Sequence, residues 1–196
     1  MKYKILKLST VILLFALISA GCQKDDIFEL QIGDENAVIE HEVNGIEFKF
    51  CLLNEQGEPA TVFNEGENFT FRFTFINHTS DTIIVSRDFI NKDFFRVFSV
   101  MSSEKQDLGK PYTGIWCEFV ATPKYFKVES TETGGLQCPW VFLDDQDIRP
   151  FCASETKDYL QIGSYFTNLA LDFSYKIGAV EKRINNIDFK INFEIK

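Results

Sequence analysis

The sequence predicts an all-β sandwich. Three observations carry this. Apolar and polar residues alternate with a period of two along much of the chain. Clusters of Gly, Asn, Asp and Pro punctuate the alternating stretches. No segment shows a convincing amphipathic helical period. The composition agrees: 45% of the 196 residues are hydrophobic, 25% are charged, and 21 are Phe. A disordered chain would be poorer in aromatics and denser in charge. At this length one domain is expected, burying roughly 70% of its unfolded surface.

The first element is a targeting segment, residues 1–21. Lys2, Lys4 and Lys7 form a positive region, and an apolar run follows from Leu8 to Gly21, broken only by Ser9, Thr10 and Ser19. Such a run is too short to cross a bilayer of ~30 Å, which takes about 20 helical residues, and it has the dimensions of a signal-peptide core. Ser19-Ala20-Gly21-Cys22 resembles the lipobox of bacterial lipoproteins, with Ser19 standing where that family usually has Leu. The resemblance implies a diacylglycerol on the Cys22 thiol, cleavage before it, and acylation (palmitate-type chains) of the new amino group. Each buried methylene adds ~0.8 kcal/mol, so several chains anchor stably where one is marginal. Gln23, Lys24, Asp25 and Asp26 resemble the surface-export signal of Bacteroidota-type lipoproteins. That implies a domain on the outer membrane, facing the cell exterior.

Residues 22–36 are acidic with little apolar periodicity and read as a flexible tether, leaving 37–196 as the folded domain. Ile46-Glu47-Phe48-Lys49-Phe50 alternates. So does Phe69-Thr70-Phe71-Arg72-Phe73-Thr74-Phe75, with four Phe on one face. This is the pattern of a half-buried antiparallel strand. Turn residues before it (64–68) and after it (77–81), followed by Thr82-Ile83-Ile84-Val85, suggest a hairpin. Further strands are expected at Phe94–Val100, Ile115–Val120, Tyr125–Val128, Trp140–Leu143, Tyr165–Tyr175 and Ile187–Ile195, with short helical turns near Asp144–Arg149 and Ser154–Tyr159.

The run from Phe63 through Gly66-Glu67 and the alternating strand to Asn77 resembles an early strand pair of bacterial immunoglobulin-like domains. Gly163-Ser164-Tyr165 resembles the Gly-x-Tyr that opens a late strand in that group, which includes a bacterial proteinase-inhibitor family. The resemblance implies a single immunoglobulin-like antiparallel sandwich of about seven to nine strands. It marks a fold, and fold does not fix function.

Charge and cysteines bound the partners. Removing residues 1–21 takes away three Lys and no acid, so the formal charge falls from −9 to −12. An acidic domain repels phosphate backbones, so nucleic acid is a poor partner and none is expected. With Cys22 lipidated, four cysteines remain: Cys51, Cys117, Cys138 and Cys152. In an oxidising compartment an even number suggests disulfides, in any of three pairings. No paired Cys-x-x-Cys spacing suggests zinc.

No catalytic constellation is visible. His41 and His78 lie in polar settings, with no nucleophile motif beside them. Asp144, Asp145 and Asp147 cluster without the spacing of a calcium loop. Neither a cofactor nor a metal is expected. Asp81-Thr82-Ile83 resembles a short O-glycosylation acceptor of Bacteroidota-type exported proteins. The best binding clue is aromatic. Tyr112, Trp116 and Trp140 lie near Cys117 and Cys138, and exposed rings there would form a platform for stacking on sugars. The alternative is a core Trp, common in immunoglobulin-like sandwiches. The expected function is a non-enzymatic, lipid-anchored surface module that binds a glycan or a protein. Two alternatives stand beside it. One is a proteinase inhibitor using the Ser102–Tyr112 loop. The other is an envelope structural subunit donating its last strand, Ile187–Ile195, to a neighbour.

Overall fold

The structure, a computed structural model, describes residues 26–86, 98–111, 125–142 and 158–196. The expected all-β sandwich forms, and the described residues contain no helix. The described residues form eleven strands: β1 (Asp26–Leu30), β2 (Val38–Val43), β3 (Ile46–Leu53), β4 (Val62–Phe63), β5 (Thr70–Asn77), β6 (Ile83–Ser86), β7 (Ser99–Ser102), β8 (Tyr125–Val128), β9 (Thr133–Pro139), β10 (Gly163–Ile177) and β11 (Val180–Ile195). They form a seven-stranded sheet ordered β1-β11-β10-β6-β8, with β4 also on β11 and β7 also on β10. A four-stranded sheet ordered β2-β3-β5-β9 opposes it. The strand count exceeds the seven to nine expected, because short pieces such as β4 pair without an alternating signature of their own. Pairing is also not wholly antiparallel, since β1 and β4 both run parallel to β11.

The core follows from the alternation. Phe48 and Phe50 of β3 and Phe71, Phe73 and Phe75 of β5 are all buried, facing the large sheet. Across the gap, Phe173 meets Phe48 at 5.2 Å and Phe75 at 4.8 Å between ring centroids, and Phe193 meets Phe69 at 5.2 Å. Each buried Phe contributes about 1.5–3 kcal/mol of transfer free energy. Phe98 stacks on Phe71 at 4.9 Å and on Phe50 at 6.0 Å. It does so at a φ of 57°, a conformation a bulky residue adopts only where its surroundings hold it. β7 begins directly after it, at Ser99, and residues 94–97 of the expected Phe94–Val100 strand lie outside the described residues.

Several boundaries differ from expectation for physical reasons. Residues 26–30, expected in the tether, form β1. Lys190 Nζ and Asn192 Nδ2 donate to Glu29 Oε1 at 2.6 and 2.8 Å and fasten β1 to β11. β5 and β6 are not a hairpin, because they lie in opposite sheets. Asn77, fully buried at the end of β5, makes the crossing. Its Nδ2 donates to Asp81 O and Val128 O, and its Oδ1 accepts from Thr79 N and Oγ1. β9 ends at Pro139, so Trp140–Leu143 is not a strand as far as it is described. β11 starts at Val180 rather than Ile187. A bulge there sets Leu171 against Ile187 and Phe173 against Ile184, with one extra residue on β11. The extra residue keeps both Ile184 and Ile187 buried where strict alternation would turn one outward. The candidate strand Ile115–Val120, the acids Asp144, Asp145 and Asp147, and the helical turn near Asp144–Arg149 lie outside the described residues, as does most of Ser154–Tyr159.

Two substitutions test this packing. Gly134 of edge strand β9 lies opposite Phe75, and a Cβ there would sit 2.2 Å from the Phe75 ring. Gly134→Ala is expected to cost about 1–3 kcal/mol in urea unfolding, since overpacking forces a shift. Tyr175 is 1% exposed and its hydroxyl has no hydrogen-bond partner. Removing an orphaned buried hydroxyl relieves its desolvation, so Tyr175→Phe should raise stability by about 1 kcal/mol. A loss on this substitution would mean the hydroxyl is paired.

Candidate functional site

Polar groups gather first on the outer face of the small sheet. Lys49 Nζ lies 2.8 Å from Glu40 Oε1 and 3.1 Å from Glu47 Oε1, and His78 Nε2 lies 2.9 Å from Glu47 Oε2. The His78 contact and Lys49 hold the Glu47 carboxyl below its usual range, although desolvation opposes them, and the two glutamates push the Lys49 ammonium up. These are solvated ion pairs with no nucleophile among them, and exposed pairs of this kind contribute little. His41 is not free in solvent. Its ring packs 4.2 Å from the ring of Phe28, closing the sandwich edge where β1 passes β2. Among the described residues, no group of three or more His, Cys, Asp or Glu is gathered to hold a metal ion. No helix there is long and apolar enough to cross a membrane.

The described cysteines do not form disulfides. Cys51 and Cys138 are free and buried. Cys51 pairs in register with Arg72, and Cys138 pairs with Phe71 on the far side of the same strand β5. Two strand spacings, about 10 Å, separate their backbones, and their side chains point to opposite faces. A disulfide needs Cα atoms within about 7 Å. Burial pushes the Cys51 thiol up, with Arg72 opposing weakly, and pushes Cys138 to about 12. Cys117 and Cys152 lie outside the described residues, as do Cys22, Gln23, Lys24 and Asp25. Asp26, the last residue of the expected export signal, opens β1.

Trp140 is a core residue, 2% exposed. It stacks on Phe69 at 5.8 Å and 10°. Its Nε1 donates to Asp158 O at 2.9 Å. Asn68 braces the neighbouring backbone, donating to Val141 O and accepting from Val141 N. Trp140 is therefore no part of an exposed sugar platform. Tyr112 and Trp116 lie outside the described residues.

The sandwich has two unlike ends. At the Asn77 end lie the Asn44-Gly45 turn, the 78–82 and 129–132 loops, and the tip of the β10–β11 hairpin. Thr82 is here, its hydroxyl donating to Glu129 Oε2. At the Trp140 end exposed apolar residues collect: Ile162 at 64%, with Tyr159, Ile32 and Val62 between 36% and 39%. Hydrogen bonds and strand register bring three of these to the same end. Gly33 N donates to Thr61 Oγ1, Glu194 N donates to Thr61 O, Val62 pairs with Glu194, and Glu194 pairs with Ser164. Ile32, Val62 and Ile162 thus border the last turn of β11. Tyr165 stiffens the rim, stacking on Phe193 at 5.6 Å and donating to Gln161 O at 2.7 Å. The hairpin following β7 stands at the same end. Its tip, residues 103–107, is exposed but tightly bonded, with Lys105 N donating to Ser102 O and Ser102 N to Gln106 O. This is the described part of the expected Ser102–Tyr112 loop. The last strand is occupied: β11 pairs with β10 on one side and with β1 and β4 on the other. The rim was missed in the sequence because its residues are scattered, and only the register joins them.

No family model and no curated protein matches the sequence.

The thiol assignment is testable. Iodoacetamide at pH 8 should leave Cys51 and Cys138 unmodified in the native protein and alkylate both in urea, as peptide mass spectrometry would show. Native modification of Cys138 would contradict its burial.

Proposed function

We propose that this chain is a non-enzymatic lipoprotein, anchored through acylated Cys22 to the outer membrane and facing the cell exterior, whose immunoglobulin-like sandwich binds a partner at its Trp140 end. One observation carries the reading. β1 begins at Asp26, four residues after Cys22, and runs parallel to β11 toward the Trp140 end. An anchor at Cys22 would therefore direct that end, with its exposed Ile162, Tyr159, Val62 and Ile32, away from the membrane. Exposed apolar residues gathered at one end favour recognition. With Trp140 in the core, the described residues of the rim are mainly aliphatic, which suits a protein partner better than a sugar.

A second reading, a proteinase inhibitor, draws on the exposed, backbone-braced tip at 103–107. Inhibition of a broad protease panel would favour it. Strand donation as a structural subunit draws no support from β11, which is paired on both sides.

The anchoring reading is tested on cells. A palmitate analogue should label the wild type and not Cys22→Ala. External protease should cut the wild type on intact cells. Alanine at Gln23, Lys24, Asp25 and Asp26 should leave labelling intact and protect the domain until the outer membrane is opened. Wild type protected on intact cells would overturn the outward placement.

A further inference from the structure

We infer that the Asn77 end of the sandwich, led by the tip of the β10–β11 hairpin, rests on the membrane surface that holds the anchor, so that the domain leans rather than swings freely. The inference depends on the lipid-anchor reading and adds an orientation to it. It comes from two lengths. In the register of the large sheet, Asp26 lies opposite Ile187, and Ile187 lies opposite Leu171. From Leu171 the hairpin runs on to Ile177 before it turns at Gly178. Those six residues, which begin at the bulge, reach up to about 20 Å beyond the start of β1, at about 3.3 Å each. The chain from Asp26 back to Cys22 spans four residues, which reach at most about 14 Å. An upright domain would therefore carry the hairpin tip past the level of its own anchor. The tip meets the surface before the leash is taut.

The residues on that side fit such a contact. Val180 at the tip and Ile27 on edge strand β1 are each 61% exposed. β1 is fixed to β11 through the Glu29, Lys190 and Asn192 bonds, so the leash starts from a rigid point and not from a loose terminus. Charge does not drive the contact. Lys176, Lys182 and Arg183 are countered by Glu181, by Asp172 bound to Arg183, and by Asp81, Glu129 and Glu132 on the neighbouring loops. With no net attraction to an anionic surface, the contact is imposed by the short leash. It should vanish with the anchor.

The test uses the full-length acylated protein in vesicles of phosphatidylethanolamine and phosphatidylglycerol. A photo-crosslinking residue, p-benzoylphenylalanine, is placed at Ala179 or, as a control at the opposite end, at Glu104. Mass spectrometry establishes acylation of Cys22 in each sample. On illumination, lipid should attach at 179 and not at 104, and the soluble Cys22→Ala protein mixed with the same vesicles should take up no lipid at either position. Acylated protein without lipid at 179, or with equal lipid at both positions, would overturn the orientation while leaving the anchor standing. Lipid attached to the Cys22→Ala protein would overturn the leash as its cause. Absence of acylation at Cys22 would overturn the anchor reading and the orientation together.

Discussion

The structure depends on one constraint: the Phe residues of the small sheet must meet an apolar face, and the large sheet is the surface that meets them. Phe48, Phe50, Phe71, Phe73 and Phe75 project from two adjacent strands. No single sheet can bury such a row by itself. The opposing surface is built mainly by β10 and β11, which pair over nearly their whole length. Everything else trims or closes this pair of faces. β1 and β4 cover the β11 edge, and β6 and β7 lie on the other side of β10.

Joining two sheets requires the chain to leave one and enter the other, and such crossings strand backbone polar groups. Asn77 resolves this at one end. Its side-chain amide imitates a backbone turn, satisfying carbonyls of both the 78–82 loop and β8. Asn68 does the same at the other end for Val141. These two buried or half-buried amides are specific in a way the Phe rows are not. Phe rows tolerate repacking of similar volume, whereas an Asn that loses its partners leaves buried groups unpaired.

This explains what was legible in the sequence. β5, β8 and the last part of β11 were readable because each buries one face and alternates cleanly. β2 escaped notice because Glu40, His41 and Glu42 break the alternation, although Asn44-Gly45, with φ of 55° and 75°, is a strong hairpin signal. β9 escaped because Gly134 and Gly135 resemble a turn, yet they are small so that β5 can pack against them: a Cβ on Gly135 would fall 2.4 Å from Phe73 O. The hairpin expected from β5 and β6 failed because local pattern cannot tell which sheet a strand will join. The decisive contact, Asn77 with Val128, spans 51 residues. The site was less legible than the fold for the same reason. Whether Trp140 faced solvent depended on Phe69 and Asp158, and the rim of Ile32, Val62 and Ile162 exists only through the register of β11.

Burial also changes what the cysteines mean. Even numbers in an exported domain suggest cross-links, but a thiol reacts as thiolate, and Cys138 is held to about 12 by desolvation. A thiol so placed behaves as a small apolar side chain and resists reaction. At Cys51 and Cys138 packing stands where a disulfide-rich domain would place a cross-link. The long β10–β11 ribbon and the cross-sheet Phe contacts supply that packing in the middle of the molecule. The two ends are braced locally, by Trp140 and Asn68 at one and by Asn77 at the other. At the Trp140 end this permits exposed apolar residues that a core could otherwise have absorbed. At the Asn77 end it permits a hairpin that extends well past the first residue of β1. A sandwich packed at its centre and braced at each end can leave apolar side chains exposed at either end.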